Sequence, residues 1–166
     1  MKRSRANSLA YGLTLAGIVL WLGAVAAAPL LRRGGPRWSA LFYAVFAPVC
    51  HQRPERSFFL NGFPLAVCGR CFGIYAGILI GTLVFPLLRR KAPTGFPGLR
   101  TLAFFSLPIG LDTLANFLGL WSTGNGVRFA TGLLWGVILP FFFIPAVGEA
   151  LGRKRRAELA KPGPKT

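Results

Sequence analysis

Four long apolar segments dominate this chain, and each approaches the roughly 20 residues that a helix needs to cross the apolar core of a bilayer. They cover residues 9–31, 71–88, 99–121 and 127–151. Only 14% of the 166 residues are charged, against about 25% in a typical soluble domain. The sequence therefore predicts an all-α, polytopic membrane protein, with about four transmembrane helices in a single domain spanning residues 9–151.

The 20 Lys and Arg residues lie mainly between and beyond these segments. This placement favours the lipid bilayer over nucleic acid as the partner, despite a net charge of +16. If the amino terminus lies inside the cell, 13 of the 20 fall in cytoplasmic stretches and seven in outer ones. We therefore expect a multi-pass plasma-membrane protein with cytoplasmic termini, a basic tail at residues 1–8 and a basic, disordered tail at residues 152–166.

Two apolar stretches need a separate interpretation. The first segment follows basic residues and ends in small ones, as a cleavable leader does, but it is longer than the apolar core of a leader, which has roughly 7 to 15 residues. Residues 38–49 are apolar but too few to span a bilayer. They predict a re-entrant or interfacial helix in the first outer loop, with Trp38 and Tyr43 at the level of the lipid headgroups.

Glycines recur at every fourth position of the second segment, at Gly69, Gly73, Gly77 and Gly81. This spacing places them on one helix face, where a neighbouring backbone can approach closely. Gly132 and Gly136 repeat the pattern in the fourth segment. We expect these faces to mediate helix packing, either within the chain or in a homo-oligomer.

All three cysteines and the only histidine fall within 22 residues, as Cys50-His51 and Cys68-Gly69-Arg70-Cys71. A Cys-x-x-Cys pair presents two sulfurs on one turn, a spacing used both for metal binding and for thiol–disulfide exchange. The leading hypothesis is a site for zinc or another transition metal formed by Cys50, His51, Cys68 and Cys71. Because neighbouring side chains diverge, either Cys50 or His51 could instead support the ligands from outside the metal shell.

Two alternatives use the same cysteines. In a redox site, Cys68 and Cys71 would be the catalytic pair, with Arg70 and a helix amino terminus lowering a thiol pKa and Cys50 as a resolving thiol. In a structural site, a disulfide or plain buried cysteines would join the loop to the helix, and an outer face permits the disulfide.

A second polar group lies inside the apolar segments. Asp112 and Asn116 are one turn apart on the third helix, and Arg128 begins the fourth. A carboxylate at this depth is costly unless it is paired, and Arg128 is the cation that the short turn at residues 122–126 brings near it. We therefore expect Asp112 to be neutral, paired or facing water, with Arg128 as its candidate partner, and we expect the amino end of the fourth helix to suit an anion.

Two strings, CHQRPERSF from Cys50 and CGRCFGIYAG from Cys68, resemble a family of small bacterial and archaeal membrane proteins known as domain of unknown function 2085. Pro108 and Asp112, followed by residues 122–132, add to the resemblance, which covers residues 44–136. It implies an integral membrane protein whose shared site is the Cys/His set, and it implies no substrate.

Three functions are consistent with these features: a metal-binding membrane protein, a membrane thiol oxidoreductase, and a small transporter or lipid-headgroup binder that uses Asp112 and Arg128. Four helices are few for a monomeric transporter, so a transporter would also require the homo-oligomer.

Overall fold

The computed structural model describes residues 2–91 and 98–159, except for the side chains of residues 2–6, 90–91 and 154–159. This part of the chain contains six α-helices, a 3-10 turn and one short hairpin. In chain order the elements are α1 Lys2–Leu30, α2 Pro36–Phe46, a 3-10 turn Pro54–Arg56, β1 Phe59–Leu60, β2 Phe63–Pro64, α3 Gly69–Lys91, α4 Leu99–Phe117, α5 Asn125–Ile138 and α6 Pro140–Leu159. The predicted helical character is confirmed.

Three helical stretches among the described residues are long and apolar enough to cross a membrane: Asn7–Leu30, Gly69–Arg89 and Asn125–Arg153. They correspond to the first, second and fourth predicted spans. The third predicted span coincides with α4, which does not belong to this set because Arg100, Asp112 and Asn116 make it less apolar. The length and composition of the described helices therefore support three candidate spans.

The glycine faces of α3 and α5 pack against each other within the chain. A Cβ atom on Gly73 would overlap the carbonyl oxygen of Phe129, and one on Gly81 would overlap that of Val137. On the other side of the contact, a Cβ on Gly132 would overlap the carbonyl oxygen of Arg70. The two backbones therefore touch, and because the contacts advance together along both helices, α3 and α5 run parallel.

This packing has a consequence for the predicted homo-oligomer. The glycines that were expected to offer an interface are already covered by a helix of the same chain. A homo-oligomer stays a prediction, and it would have to use a different face.

α1 runs antiparallel to α3. Near its start, Ala10 is buried with Phe85 and Ile144. Near its end, Val25 and Ala28 are buried in a cluster that also contains Cys50 and residues 65–67, just before α3 begins. We call the end of the bundle that holds Cys50, Cys68 and Cys71 the thiol end.

α4 returns toward the thiol end. The indole Nε1 of Trp135 donates to Ser106 Oγ at 2.9 Å, and Arg128 Nη2 donates to Asn116 Oδ1 at 3.0 Å. Because the later residue of α4 meets the earlier residue of α5, the two helices are antiparallel. The four long elements α1, α3, α4 and α5–α6 thus alternate in direction.

Three further predictions are modified by the structure. The fourth predicted span is divided at Leu139, since Pro140 has no backbone N–H to continue the helix. Residues 152–159 of the predicted basic tail belong to α6, which ends at Leu159, and residues 160–166 lie outside the described part. The predicted loop helix is α2, where Ser39 Oγ donates to the carbonyl of Ala28 at 2.7 Å, and its position relative to a membrane stays a prediction.

Candidate functional site

Three thiols meet at the thiol end. The Sγ atoms of Cys50, Cys68 and Cys71 all lie within 4.8 Å of one another, and all three cysteines are free. Cys50 is buried, with 6% of its surface exposed, and the other two are half-buried. The fold therefore brings together the two parts of the cysteine pattern that are separated along the chain.

A tight hairpin makes this approach possible. Asn61 and Gly62 have φ values of 54° and 85° and join β1 to β2, as expected for an Asn-Gly turn between antiparallel strands. Beyond the strands, the N–H of Leu65 donates to the carbonyl of Phe58 at 2.8 Å. The chain therefore reverses within the loop and returns to Cys50.

The Cys-x-x-Cys motif forms the start of α3. The carbonyl of Cys68 accepts the N–H of Phe72 at 2.9 Å, so Cys68 precedes the first helical residue and Cys71 lies in the first turn. The N–H of Cys68 donates to Cys50 Sγ at 3.1 Å. Cys50 is thus fixed against the amino end of the helix that carries the other two sulfurs.

The surroundings of Cys68 favour its thiolate. Hydrogen bonds with the thiols of Cys50 and Cys71, together with the backbone N–H groups of Cys71 and Arg70, lower the pKa of Cys68 well below that of a free thiol. Partial burial acts in the opposite direction and is the smaller effect. A deprotonated sulfur is the form that binds a metal ion or attacks a disulfide.

His51 does not join the three sulfurs. Its side chain is exposed, whereas that of Cys50 is buried, so the two neighbours diverge. Gln52 has a positive φ of 50°, and its Nε2 donates to the carbonyl of Tyr43 at 2.7 Å, which holds the turn after His51. The structure assembles three of the four predicted ligands, and His51 stays a predicted fourth.

Asp112 is paired, but its partner is Arg70 and not Arg128, the candidate that the sequence suggested. Arg70 Nη2 donates to Asp112 Oδ2 in an ion pair whose carboxylate is almost fully buried. The prediction considered only the cation nearest along the chain. It was wrong because the contact between α3 and α5 brings the first turn of α3 beside the end of α4.

Arg128 is instead held by neutral groups. Its Nη2 donates to Asn116 Oδ1 at 3.0 Å, and its Nε donates to Thr123 Oγ1 at 3.3 Å. Asn116 Nδ2 donates to Asp112 Oδ1 at 3.0 Å and to Thr123 Oγ1 at 2.9 Å. The predicted intramembrane residues Asp112, Asn116 and Arg128 therefore do form one network, with Asn116 between the two charges.

Comparison with known proteins identifies the family of the chain. Residues 50–142, more than half of the chain, match the model of a family described as "Predicted membrane protein (DUF2085)". The chain belongs to this family. The matched region begins at Cys50 and includes every residue of the thiol cluster and of the Asp112 network.

Two archaeal relatives of this DUF2085 protein are similar over most of their length. An uncharacterised protein of Methanocaldococcus jannaschii is 36% identical over 70% of this chain and 74% of its own length. An uncharacterised protein of Methanothermobacter thermautotrophicus is 32% identical over 55% of this chain and 81% of its own length. No solved structure is significantly similar to the chain.

Arg70 is the residue of this family member that the sequence did not assign to the Asp112 network. It lies inside the Cys-x-x-Cys motif and reaches the only carboxylate of α4, so it joins the thiols to the network. The available clue was a charge imbalance: two cations, Arg70 and Arg128, stood near one intramembrane acid.

Proposed function

We propose that Cys50, Cys68 and Cys71 bind one transition-metal ion at the thiol end of this membrane protein. The observation that supports it is the convergence of three free sulfurs within 4.8 Å, in a chain whose only cysteines are these three. Two come from one helical turn and the third from a loop that the hairpin returns to that turn.

The ligand set favours zinc or a softer ion such as copper(I). Thiolates select these ions over calcium and magnesium, which prefer oxygen. Structural zinc sites usually have four protein ligands, and a site with three keeps a position for an exchangeable ligand. Three sulfurs therefore suit an ion that is handled or transferred as well as one that is permanently held.

Arg70 supports the site electrostatically. Three thiolates around a divalent ion carry a net charge of −1, which is costly at the edge of an apolar bundle. The guanidinium of Arg70 lies within the same motif, and its Nε atom is buried and donates to no described atom. A neighbouring anionic metal centre would give that buried N–H group the acceptor it lacks.

His51 is the proposed fourth ligand. It directly follows Cys50 and is exposed, so a rotation of its side chain need not disturb the core. If His51 is a ligand, His51→Ala should weaken metal affinity by about 10-fold or more, because the loss of a residue that only supports a ligand already costs about that much. Equal affinity in a competition titration with a chelator would exclude His51 from the shell.

We further infer that α4 crosses the bilayer, which gives four spans. α3 and α5–α6 run in the same direction, so a chain that crosses with both must cross back between them, and α4 is the described element that returns. Its 19 residues rise about 28 Å, close to the apolar core thickness. Both termini would then be cytoplasmic, and the thiol end would face outward.

Metal content tests the proposal. Protein purified in mild detergent should contain near one equivalent of zinc or copper by mass spectrometry. Cys68→Ser should lose most of it, whereas Glu55→Gln, which changes an exposed side chain outside the thiol cluster, should keep it. Metal-free wild-type protein that also gains no thermal stability from added zinc or copper would contradict metal binding.

Thiol–disulfide exchange is the alternative that the same sulfur geometry allows. Cys68 thiolate would attack a substrate disulfide and release one substrate thiol. Cys71 would then displace the second, leaving a Cys68–Cys71 disulfide and two reduced substrate thiols. A free-thiol count of one in metal-free protein would favour this alternative, and a count of three in metal-loaded protein would favour the metal site.

A further inference from the structure

An apolar groove runs along the seam between α4 and α5. It has a volume of about 520 Å³ and is lined by Ser106, Ile109, Gly110, Thr113, Leu114 and Phe117 of α4 and by Trp135 of α5. From Ser106 to Phe117 the helix rises about 16 Å, roughly half of a bilayer core of about 30 Å. The groove therefore has the length of one leaflet.

The Phe117 end of the groove lies at the level of a buried cation, Arg128, which does not itself line the groove. Arg128 precedes Trp135 by seven residues, which is two turns, so both side chains lie on the same face of α5. At the other wall, Phe117 follows Asn116, which accepts the hydrogen bond from Arg128. The end of the groove nearest to Arg128 is the thiol end, where the bundle would meet lipid headgroups.

Arg128 forms no ion pair among the described residues. Only 7% of its surface is exposed, and its described hydrogen bonds go to the neutral side chains of Asn116 and Thr123. Asp112 and the thiolate of Cys68 attract Arg128, and Arg56 and Arg70 repel it, but Asp112 is already in an ion pair with Arg70. A buried guanidinium without an anion bonded to it is costly, so this cation favours an anion in direct contact.

The geometry points to a bound anionic phospholipid, with one acyl chain in the groove and its phosphate near Arg128. An apolar groove of one leaflet length, with a guanidinium at the level of one end that is hydrogen-bonded only to neutral side chains, matches the two chemical parts of such a lipid. A free phosphate would use the cation but leave the groove without an occupant. This assignment does not depend on metal binding.

Tryptophan quenching tests the assignment, because Trp135 lines the groove. Protein in phosphatidylcholine nanodiscs would receive rising fractions of phosphatidylglycerol with brominated acyl chains, or of equally brominated phosphatidylcholine. The part of the quenching that is seen in the wild-type protein but not in Trp135→Phe reports on lipid in the groove. Half-saturation of this quenching should need a roughly tenfold lower fraction of brominated phosphatidylglycerol than of brominated phosphatidylcholine. This is the preference expected from one or two cation contacts with the lipid.

Two variants separate the groove from the cation. Gly110 has open space around its Cα, so Gly110→Leu should fill the groove and abolish saturable quenching without disturbing the helix packing. Gly17→Leu adds the same side chain at an open position of α1 and should behave as wild type. Arg128→Gln should remove the headgroup preference while keeping quenching by both lipids.

Three results would overturn the assignment. Equal half-saturation by the two lipids would show that no headgroup is selected. A phosphatidylglycerol preference retained in Gly110→Leu would place the lipid outside the groove. Complete loss of the preference in millimolar inorganic phosphate would assign Arg128 to a free anion.

Discussion

At the scale of single residues, Arg70 occupies the position between the three thiols and the Asp112 network. Its backbone belongs to the first turn of α3, between Cys68 and Cys71, and its side chain reaches across to α4. The side chain of Asp112 is 4% exposed, and the side chain of Arg70 is 21% exposed. Removal of the cation would leave a charged group in an apolar bundle without a partner.

Arg70→Met should therefore destabilise the protein by about 3 kcal/mol. This is the lower end of the cost of breaking a buried ion pair, because Arg70 is partly exposed. Asp112→Asn in the same protein should recover more than half of the loss, since it removes the unpaired charge. Unfolding in detergent measures both, with Arg53→Met as a control at an exposed Arg. Additive effects of the two changes would contradict the pairing.

The sequence predicted the cysteine cluster but not the partner of Asp112. The cysteine cluster could be predicted because three rare, reactive side chains occurred close together along the chain. The partner of Asp112 could not, because the choice between Arg70 and Arg128 depends on how closely α3 approaches α4. Chain distance favoured Arg128, and tertiary packing selected Arg70.

At the scale of elements, the parallel pair α3 and α5 determines the geometry of the site. Both helices begin at the thiol end, and Asn125 Nδ2, at the start of α5, donates to the carbonyl of Ser57 at 3.1 Å. The glycine spacing predicted a smooth face, but a repeat of four identifies only the face and not its partner. The parallel direction follows from α4, which carries the chain back before α5 begins.

Gly77→Ala should be destabilising, by about 1–3 kcal/mol, because a Cβ there would overlap backbone atoms of Leu133, Val137 and Gly136 that cannot rotate away. Gly12→Ala is the matched control, since nothing lies within 4 Å of its added Cβ and alanine favours a helix by up to about 1 kcal/mol. Thermal unfolding in detergent compares them. Equal stability of the two variants would exclude backbone contact between α3 and α5.

At the scale of the whole molecule, the number of crossings decides which side of the membrane each end occupies. Three stretches qualify by length and composition, and α4 falls below them because of Arg100 and of two polar residues, Asp112 and Asn116, that the fold pairs internally. A sequence profile counts those residues as if they faced lipid. The alternation of helix directions shows instead that α4 returns toward the thiol end.

Reporter fusions test the crossing number. With four spans and an amino terminus in the cytoplasm, both termini are cytoplasmic. Green fluorescent protein should then fluoresce, and alkaline phosphatase should stay inactive, at either terminus. With three spans, the carboxyl-terminal fusion should show the reverse. A phosphatase fusion at Gly124, before α5, should be active if α4 has crossed outward.

X-ray absorption at the metal edge identifies the atoms bound to the ion, and so tests whether the three sulfurs are its ligands. Protein loaded with one equivalent of zinc should show three sulfur neighbours at about 2.3 Å and one lighter nitrogen or oxygen neighbour. Cys50→Ser should reduce the sulfur count to two. A spectrum with only nitrogen and oxygen neighbours in the wild-type protein would show that Cys50, Cys68 and Cys71 do not bind the metal.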